Sequence, residues 1–228
     1  MKKRALSIFI ILIISMLSLV SCNVVKDKVY EATGLECYEF KVREDGQTYS
    51  LSVKAGATIP EKVKLPTEYN GKPVVEVERG AFKDNETITE VIIPVGYEVI
   101  GIEAFAYCKK LSVLNIGQYG GTSDRKTTIK NSAFVGCSVL STVTLGECVE
   151  VINSNAFKDT MVTSVNARGL KSIGKCSFGD CASLKSFYIP ATLEYIDEEA
   201  FKGSNNVVFT VAESNKVYTA KDGKLARK

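Results

Sequence analysis

The chain has 228 residues, of which 29 are basic and 26 acidic, and it contains neither histidine nor tryptophan. Without histidine, Ser–His and Cys–His nucleophiles, histidine general bases and HExxH zinc sites are excluded. Lys2, Lys3 and Arg4 are the only charged residues among the first 21, so residues 22–228 carry 26 charges of each sign. This formally neutral remainder has no basic stripe that would indicate nucleic acid or anionic lipid as a partner.

The N-terminus has the pattern of an export signal. A basic start, Met1–Arg4, precedes an apolar run of sixteen residues, 5–20. At about 1.5 Å per residue a helix of this length spans about 24 Å, less than the roughly 30 Å hydrocarbon core of a bilayer. The run therefore predicts a signal peptide over residues 1–21 rather than a permanent membrane span.

The residues that end this run, Leu19-Val20-Ser21-Cys22, resemble the bacterial lipobox. The resemblance implies cleavage before Cys22 and acyl chains, palmitate among them, on that residue. A secretory signal with a chance cysteine is the alternative, because small residues before the cut also suit the general signal peptidase. We expect an exported lipoprotein, anchored to the membrane through Cys22 and facing the extracellular or periplasmic side. Residues 22–36 are then a tether, whose ~14 free residues reach at most ~50 Å.

One short phrase, Ile-x-x-x-Ala-Phe or a close variant, recurs six times in the rest of the chain. The intervals between its Phe residues are 23, 29, 23, 21 and 23 residues. An alternating apolar pair such as Val91 and Ile93 follows each of the first five Phe residues and predicts a strand. Pro94 and Pro190 stand directly after such pairs and are expected to end those strands. The phrase itself has no two-residue period, and it predicts a tight turn or a short helical turn.

Each repeat unit carries about five apolar residues, too few to bury a face alone, so the units must stack on one another. The sequence therefore predicts a solenoid, an α/β or mainly β repeat. Each coil of about 23 residues would contain one short parallel strand and a turn or short helix.

These units resemble the BspA-like leucine-rich repeats of bacterial surface proteins, whose pattern is I-x-x-x-A-F-x-x-C-x-x-L-x-x-V-x-I-P. Residues 100–116 match every marked position up to the Pro, and residues 173–190 match with Ser177 for Ala and Phe187 for Val. The resemblance implies a leucine-rich-repeat domain over residues 37–228. Its parts would be an N-terminal cap (37–76), repeats (77–206) and a closing unit (207–228). Six extra residues in the second interval and two missing in the fourth depart from the regular step.

Six cysteines remain besides Cys22. Three of them stand three positions after a repeat Phe, where Asn, Thr or Ser stands in other units, and we expect them to be buried, reduced thiols: Cys108, Cys137 and Cys181. A disulfide among the other three stays an open alternative: Cys37, Cys148 and Cys176. Cys-x-x-Cys and Cys/His zinc spacings are absent from the sequence, and we expect no metal or cofactor.

The residues that alternate with the core pairs should face outward along the sheet. They are the candidate partner-binding residues, with a merely solvated sheet face as the alternative: Glu90, Ile92, Val113, Asn115, Thr142, Thr144, Ser164, Asn166, Ser186 and Tyr188. The extra residues at 117–125 add Tyr119, because insertions in repeats often form binding loops. A flexible spacer is the alternative for this insertion.

Taken together, these features favour a cell-surface binding or adhesion module over an enzyme. The resemblance implies a protein or other macromolecule as the partner, besides the membrane that holds the lipid, and no small-molecule substrate is expected. The alternative is a structural scaffold within the envelope that holds a neighbouring membrane or cell-wall component, which the short tether favours. An enzyme with paired carboxylates ranks third, because the sequence places no two such groups in one pocket.

Overall fold

The computed structural model describes residues 34–121 and 123–228. The predicted signal peptide (1–21), the predicted lipid attachment at Cys22 and residues 22–33 of the predicted tether lie outside the described residues. What the structure describes is a solenoid of about seven turns with coils of about 23 residues and almost no helix. The predicted fold class is therefore confirmed.

Strands are the main element of the described residues. A 3-10 helix, Leu35–Cys37, precedes the first strand. The strands, in chain order, are β1 (Tyr38–Val42), β2 (Tyr49–Val53), β3 (Lys62–Lys64), β4 (Glu68–Tyr69), β5 (Lys72–Val77), β6 (Glu90–Ile93), β7 (Val99–Ile100), β8 (Val113–Ile116), β9 (Thr127–Ile129), β10 (Thr142–Leu145), β11 (Val149–Ile152), β12 (Ser164–Asn166), β13 (Ser172–Ile173), β14 (Ser186–Ile189), β15 (Tyr195–Ile196), β16 (Val208–Val211), β17 (Tyr218–Lys221) and β18 (Lys224–Arg227).

Successive coils contribute strands to two sheet systems. The first, here called the long sheet, has the order β1-β2-β5-β7-β9-β11-β13-β15, in which β1–β2 is antiparallel and the later pairs are parallel. Off this path, β4 pairs antiparallel with β5. The second, here called the divided sheet, consists of two parallel parts, β3-β6-β8-β10 and β12-β14-β16, which are not hydrogen-bonded to each other as strands. A hairpin, β17–β18, follows the last coil.

The sequence predicted one strand per coil, and the structure has a second strand, in the long sheet. Most of these extra strands have only two to four residues and end on the Ile of the repeated phrase, as β7 does at Ile100. So short a segment cannot display a two-residue period, which is why the pattern missed it. As predicted, Pro94 and Pro190 come directly after strands β6 and β14.

The six repeat Phe residues form one continuous stack through the core. Neighbouring ring centroids are 4.6–5.6 Å apart and the rings are within 5–11° of parallel. This step is close to the spacing of about 4.8 Å between hydrogen-bonded strands, so each coil places its ring on that of the coil before. The stack consists of Phe82, Phe105, Phe134, Phe157, Phe178 and Phe201.

The repeated phrase forms tight turns in which two residues in five coils, and one in the last, have left-handed backbone conformation. One lies two positions before the stacked Phe in five of the six coils: Gly80, Glu103, Ser132, Asn155 and Cys176. The other lies two positions after it in all six: Asp84, Tyr107, Gly136, Asp159, Asp180 and Gly203. The tight-turn interpretation of the phrase is therefore correct, and its helical alternative is wrong for the described coils.

Candidate functional site

The outward side chains of the divided sheet lie in two rows that run from coil to coil, and none of the ten predicted strand residues belongs to the packed core cluster. The strand registers align the first row as Lys62, Glu90, Val113 and Thr142, followed after the division by Ser164, Ser186 and Val208. They align the second as Lys64, Ile92, Asn115 and Thr144, followed by Asn166, Tyr188 and Thr210. We call these two rows the outer face. The registers thus place the ten residues in two rows along the divided sheet, and their role in binding stays a prediction.

One of the ten, Ile92, is not available for contact. Its side chain is only 2% exposed. In the register it lies between Lys64 on β3 and Asn115 on β8, and side chains directly opposite each other on neighbouring strands can cover one another. The expectation that Ile92 offers an outward apolar contact is therefore wrong.

The insertion is held against the coil before it. The backbone N–H of Val95 donates to the carbonyl oxygen of Tyr119 at 2.6 Å. Farther along, Arg125 forms an ion pair with Glu98, which also binds Arg43 at 2.9 Å. These anchors on both sides of Gly120 disfavour the spacer interpretation. Tyr119 remains 50% exposed.

The two parts of the divided sheet separate between β10 and β12, in the unit that is two residues short. Here the backbone N–H of Thr163 reaches the carbonyl oxygen of Ser141 at 3.4 Å, a long hydrogen bond. Val143 on β10 is only half-buried, whereas Val91 and Leu114, its equivalents in the preceding coils, are fully buried. The missing residues therefore open the face down to a core side chain.

This separation forms a cleft of about 780 Å³, here called the break cleft. It is lined by β10, β12, the turns that follow them and the insertion: Val95, Gly117, Gln118, Ser123, Lys126, Val143, Thr144, Leu145, Gly146, Glu147, Cys148, Ser164, Asn166 and Arg168. Thr144, Ser164 and Asn166 are candidates from the sequence. Strand alternation did not predict the charged lining residues, Lys126, Glu147 and Arg168. The short unit that closely follows the insertion could have indicated an irregular surface here.

The lining of the break cleft contains three charged side chains, Lys126, Glu147 and Arg168. None of the three takes part in an ion pair among the residues that the structure describes. The cleft therefore has two basic groups and one acidic group whose charges are not neutralised by neighbours.

The three cysteines at the repeat position are buried, as predicted: Cys108, Cys137 and Cys181. The Sγ atoms of Cys108, Cys137 and Cys181 each donate to the carbonyl oxygen of a stacked Phe in the preceding coil at 3.1 Å. The Cys108 thiol and burial raise the pKa of Cys137, and burial raises the pKa of Cys181. All six described cysteines are free, so the disulfide alternative finds no support in the structure.

Residues 34–121 and 123–228 contain no group of three or more His, Cys, Asp or Glu side chains that could hold a metal ion. They also contain no helix that is long and apolar enough to cross a bilayer.

Known proteins with this architecture are leucine-rich-repeat proteins. A leucine rich repeat protein of T. pallidum is 25% identical with a TM-score of 0.70, covering 79% of this chain and 81% of that chain. A leucine rich cell surface protein of Faecalibacterium prausnitzii is 22% identical (TM-score 0.58; 87% and 59% covered), and a leucine-rich repeat protein of Bacteroides ovatus is 22% identical (TM-score 0.55; 84% and 54% covered). This chain thus spans little more than half of the latter two. No curated protein matches it.

The chain is therefore a leucine-rich-repeat solenoid. Six copies of the BspA type leucine rich repeat region match residues 120–220, and this region belongs to that family. The coils before residue 120 continue the same Phe stack through Phe82 and Phe105.

Proposed function

We propose that this protein is a surface-displayed lipoprotein that binds a macromolecule through the outer face of its divided sheet. The observation that carries the proposal is the alignment of predicted outward residues into two rows across successive coils. Repeat proteins bind partners on such extended surfaces, because each coil adds side chains at a constant step. One of the similar structures is described as a cell surface protein. An enzymatic role finds no support, since none of the similar proteins is named as an enzyme.

The membrane anchor is the second part of the proposal. Acylation of Cys22 would hold the solenoid near the bilayer, and the formally neutral remainder of the chain would not itself be attracted to anionic lipid. In cells labelled with a palmitate analogue, the full chain should be labelled and found in the membrane fraction. Cys22→Ser should abolish both the label and the membrane association, and a Cys22→Ser chain that stays labelled would exclude this anchor.

The outer face can be tested with a matched pair of tyrosines. Tyr188 lies on the outer face, whereas the exposed Tyr195 lies on β15 of the long sheet. A chain that begins at Asn23 keeps the compact unit of residues 32–228 and can be immobilised to capture partners from host matrix or from isolated envelope. Tyr188→Ala should reduce capture of a given partner, and Tyr195→Ala should not. Equal capture by both variants would place the interface elsewhere.

Protease treatment of intact cells separates display from an internal scaffold. A surface-displayed chain should be degraded while a cytoplasmic marker survives. Protection in intact cells, with partners drawn only from the envelope, would instead support the scaffold that the short tether favours.

A further inference from the structure

We propose that the break cleft binds a short acidic saccharide, a carbohydrate that carries carboxylate groups. This inference rests on the proposed binding function and specifies one of its ligands. The cleft is the place where the outer face is interrupted, and the ordinary coil-to-coil packing of the repeat does not require it.

The walls of the break cleft match the chemistry of a sugar. Its lining includes neutral hydroxyl and amide side chains, which both donate and accept hydrogen bonds as sugar hydroxyls do: Gln118, Thr144, Ser164 and Asn166. The lining also includes two apolar side chains, the half-buried Val143 and the buried Leu145. The C–H face of a sugar ring can pack against the exposed part of Val143.

The charges of the break cleft select among saccharides. Arg168 and Lys126 have no ion-pair partner among the described residues, and a guanidinium binds a carboxylate through two parallel hydrogen bonds. Glu147 is also unpaired and can accept hydrogen bonds from sugar hydroxyls. With two basic groups and one acidic group, the cleft keeps one net positive charge, which a ligand carboxylate would neutralise.

The shape of the break cleft disfavours an extended peptide. A peptide that adds to a sheet needs a continuous strand edge. Here β12 has three residues, about 10 Å at about 3.3 Å per residue. Beyond β12 the backbones of the two coils are in close contact. Gly169 lies so near Glu147 that a Cβ atom added to the glycine would be 2.0 Å from the carbonyl oxygen of Glu147. The opening is therefore short and closed at that end, which suits a few sugar rings.

Calorimetric titration of the chain that begins at Asn23 tests this inference. The probes are a hexasaccharide of alternating uronate and N-acetylhexosamine units, a neutral N-acetylhexosamine oligomer of the same length, and hexaglutamate. The uronate hexasaccharide should bind more tightly than either of the others. Arg168→Ala should weaken its binding by about tenfold or more, because a charge-assisted hydrogen bond is lost.

Two further variants test whether binding takes place in the cleft and how the charge of the cleft affects it. Lys185→Ala removes an exposed positive charge one coil farther along, outside the cleft lining, and it should leave binding unchanged. Glu147→Gln keeps a hydrogen-bonding group and removes the negative charge, so it should tighten binding of the uronate probe.

Three results would overturn the inference: equal affinity for the neutral oligomer, tighter binding of hexaglutamate, or equal losses from Arg168→Ala and Lys185→Ala. If no saccharide binds but Tyr188→Ala still reduces macromolecule capture while Tyr195→Ala does not, the saccharide inference is overturned and the proposed function stands. Loss of that capture, with saccharide binding kept, would overturn only the broader proposal.

Discussion

A single hydroxyl in the core shows how closely the repeat specifies its residues. Ser177 is fully buried, and its Oγ has no hydrogen-bond partner among the described residues. Five coils have alanine at the same position: Ala81, Ala104, Ala133, Ala156 and Ala200. A buried hydroxyl without a partner loses its hydrogen bonds to water and gains none in the protein. Ser177→Ala should therefore raise the free energy of unfolding by about 1 kcal/mol. Urea unfolding followed by circular dichroism measures it.

The control is a serine of the same interior that has its partners. The Oγ of Ser204 donates to the carbonyl oxygen of Phe178 at 2.7 Å and accepts from the N–H of Cys181 at 2.8 Å. Ser204→Ala makes the same chemical change but leaves two buried backbone groups unpaired, so it should lower the free energy of unfolding by about 1–3 kcal/mol. Changes of the same sign in both variants would contradict the explanation.

At the scale of the element, the Phe stack should be strongest in its middle. Phe134 is fully buried between the parallel rings of Phe105 and Phe157, whereas Phe201 ends the stack and is half-buried. Phe134→Ala should therefore lower the free energy of unfolding by about 3–5 kcal/mol, and Phe201→Ala should lower it less. Denaturant unfolding of both variants checks the order, and a larger loss for Phe201→Ala would show that the core is centred elsewhere.

The elements also show what the sequence could predict. The Phe positions, the core pairs and the inward cysteines follow from spacing, because side chains at equal positions in stacked coils must meet. The two-residue strands and most left-handed turn positions do not follow, since residues such as Glu103 and Tyr107 adopt that conformation only because the stacked coils impose it. Intervals of 29 and 21 residues marked irregular coils, but the opening beside Val143 depends on how the short coil packs.

Part of the candidate site could also be predicted from the sequence. Strand alternation placed nine of the ten strand residues on an accessible face, and Ile92 failed because burial there depends on neighbours in other coils. Lys126, Glu147 and Arg168 lie in segments of chain after strands or the insertion. A strand period says nothing about such segments, so their convergence on the break cleft required the structure.

At the scale of the whole molecule, a solenoid is stabilised coil by coil, so damage at one end should stay local. Asn215 in the closing segment is buried, and its Nδ2 donates to the carbonyl oxygens of Pro190 and Leu193 at 2.7 and 3.0 Å. Its Oδ1 accepts from the backbone N–H groups of Val217 and Tyr218.

Asn215→Asp keeps the shape of this side chain but turns its two donated hydrogen bonds into repulsion between oxygens. We expect a loss of about 3–5 kcal/mol in the closing segment, as for an unpaired buried charge. Such a site raises the pKa of the new carboxyl in the folded state, so the loss should be present at neutral pH and shrink as the pH falls through that pKa. Hydrogen exchange followed by mass spectrometry should show lost protection in β16–β18 and the last coil, with the amides of β5–β9 unchanged. A uniform loss along the chain would mean that the coils unfold as one cooperative unit and would contradict coil-by-coil stability.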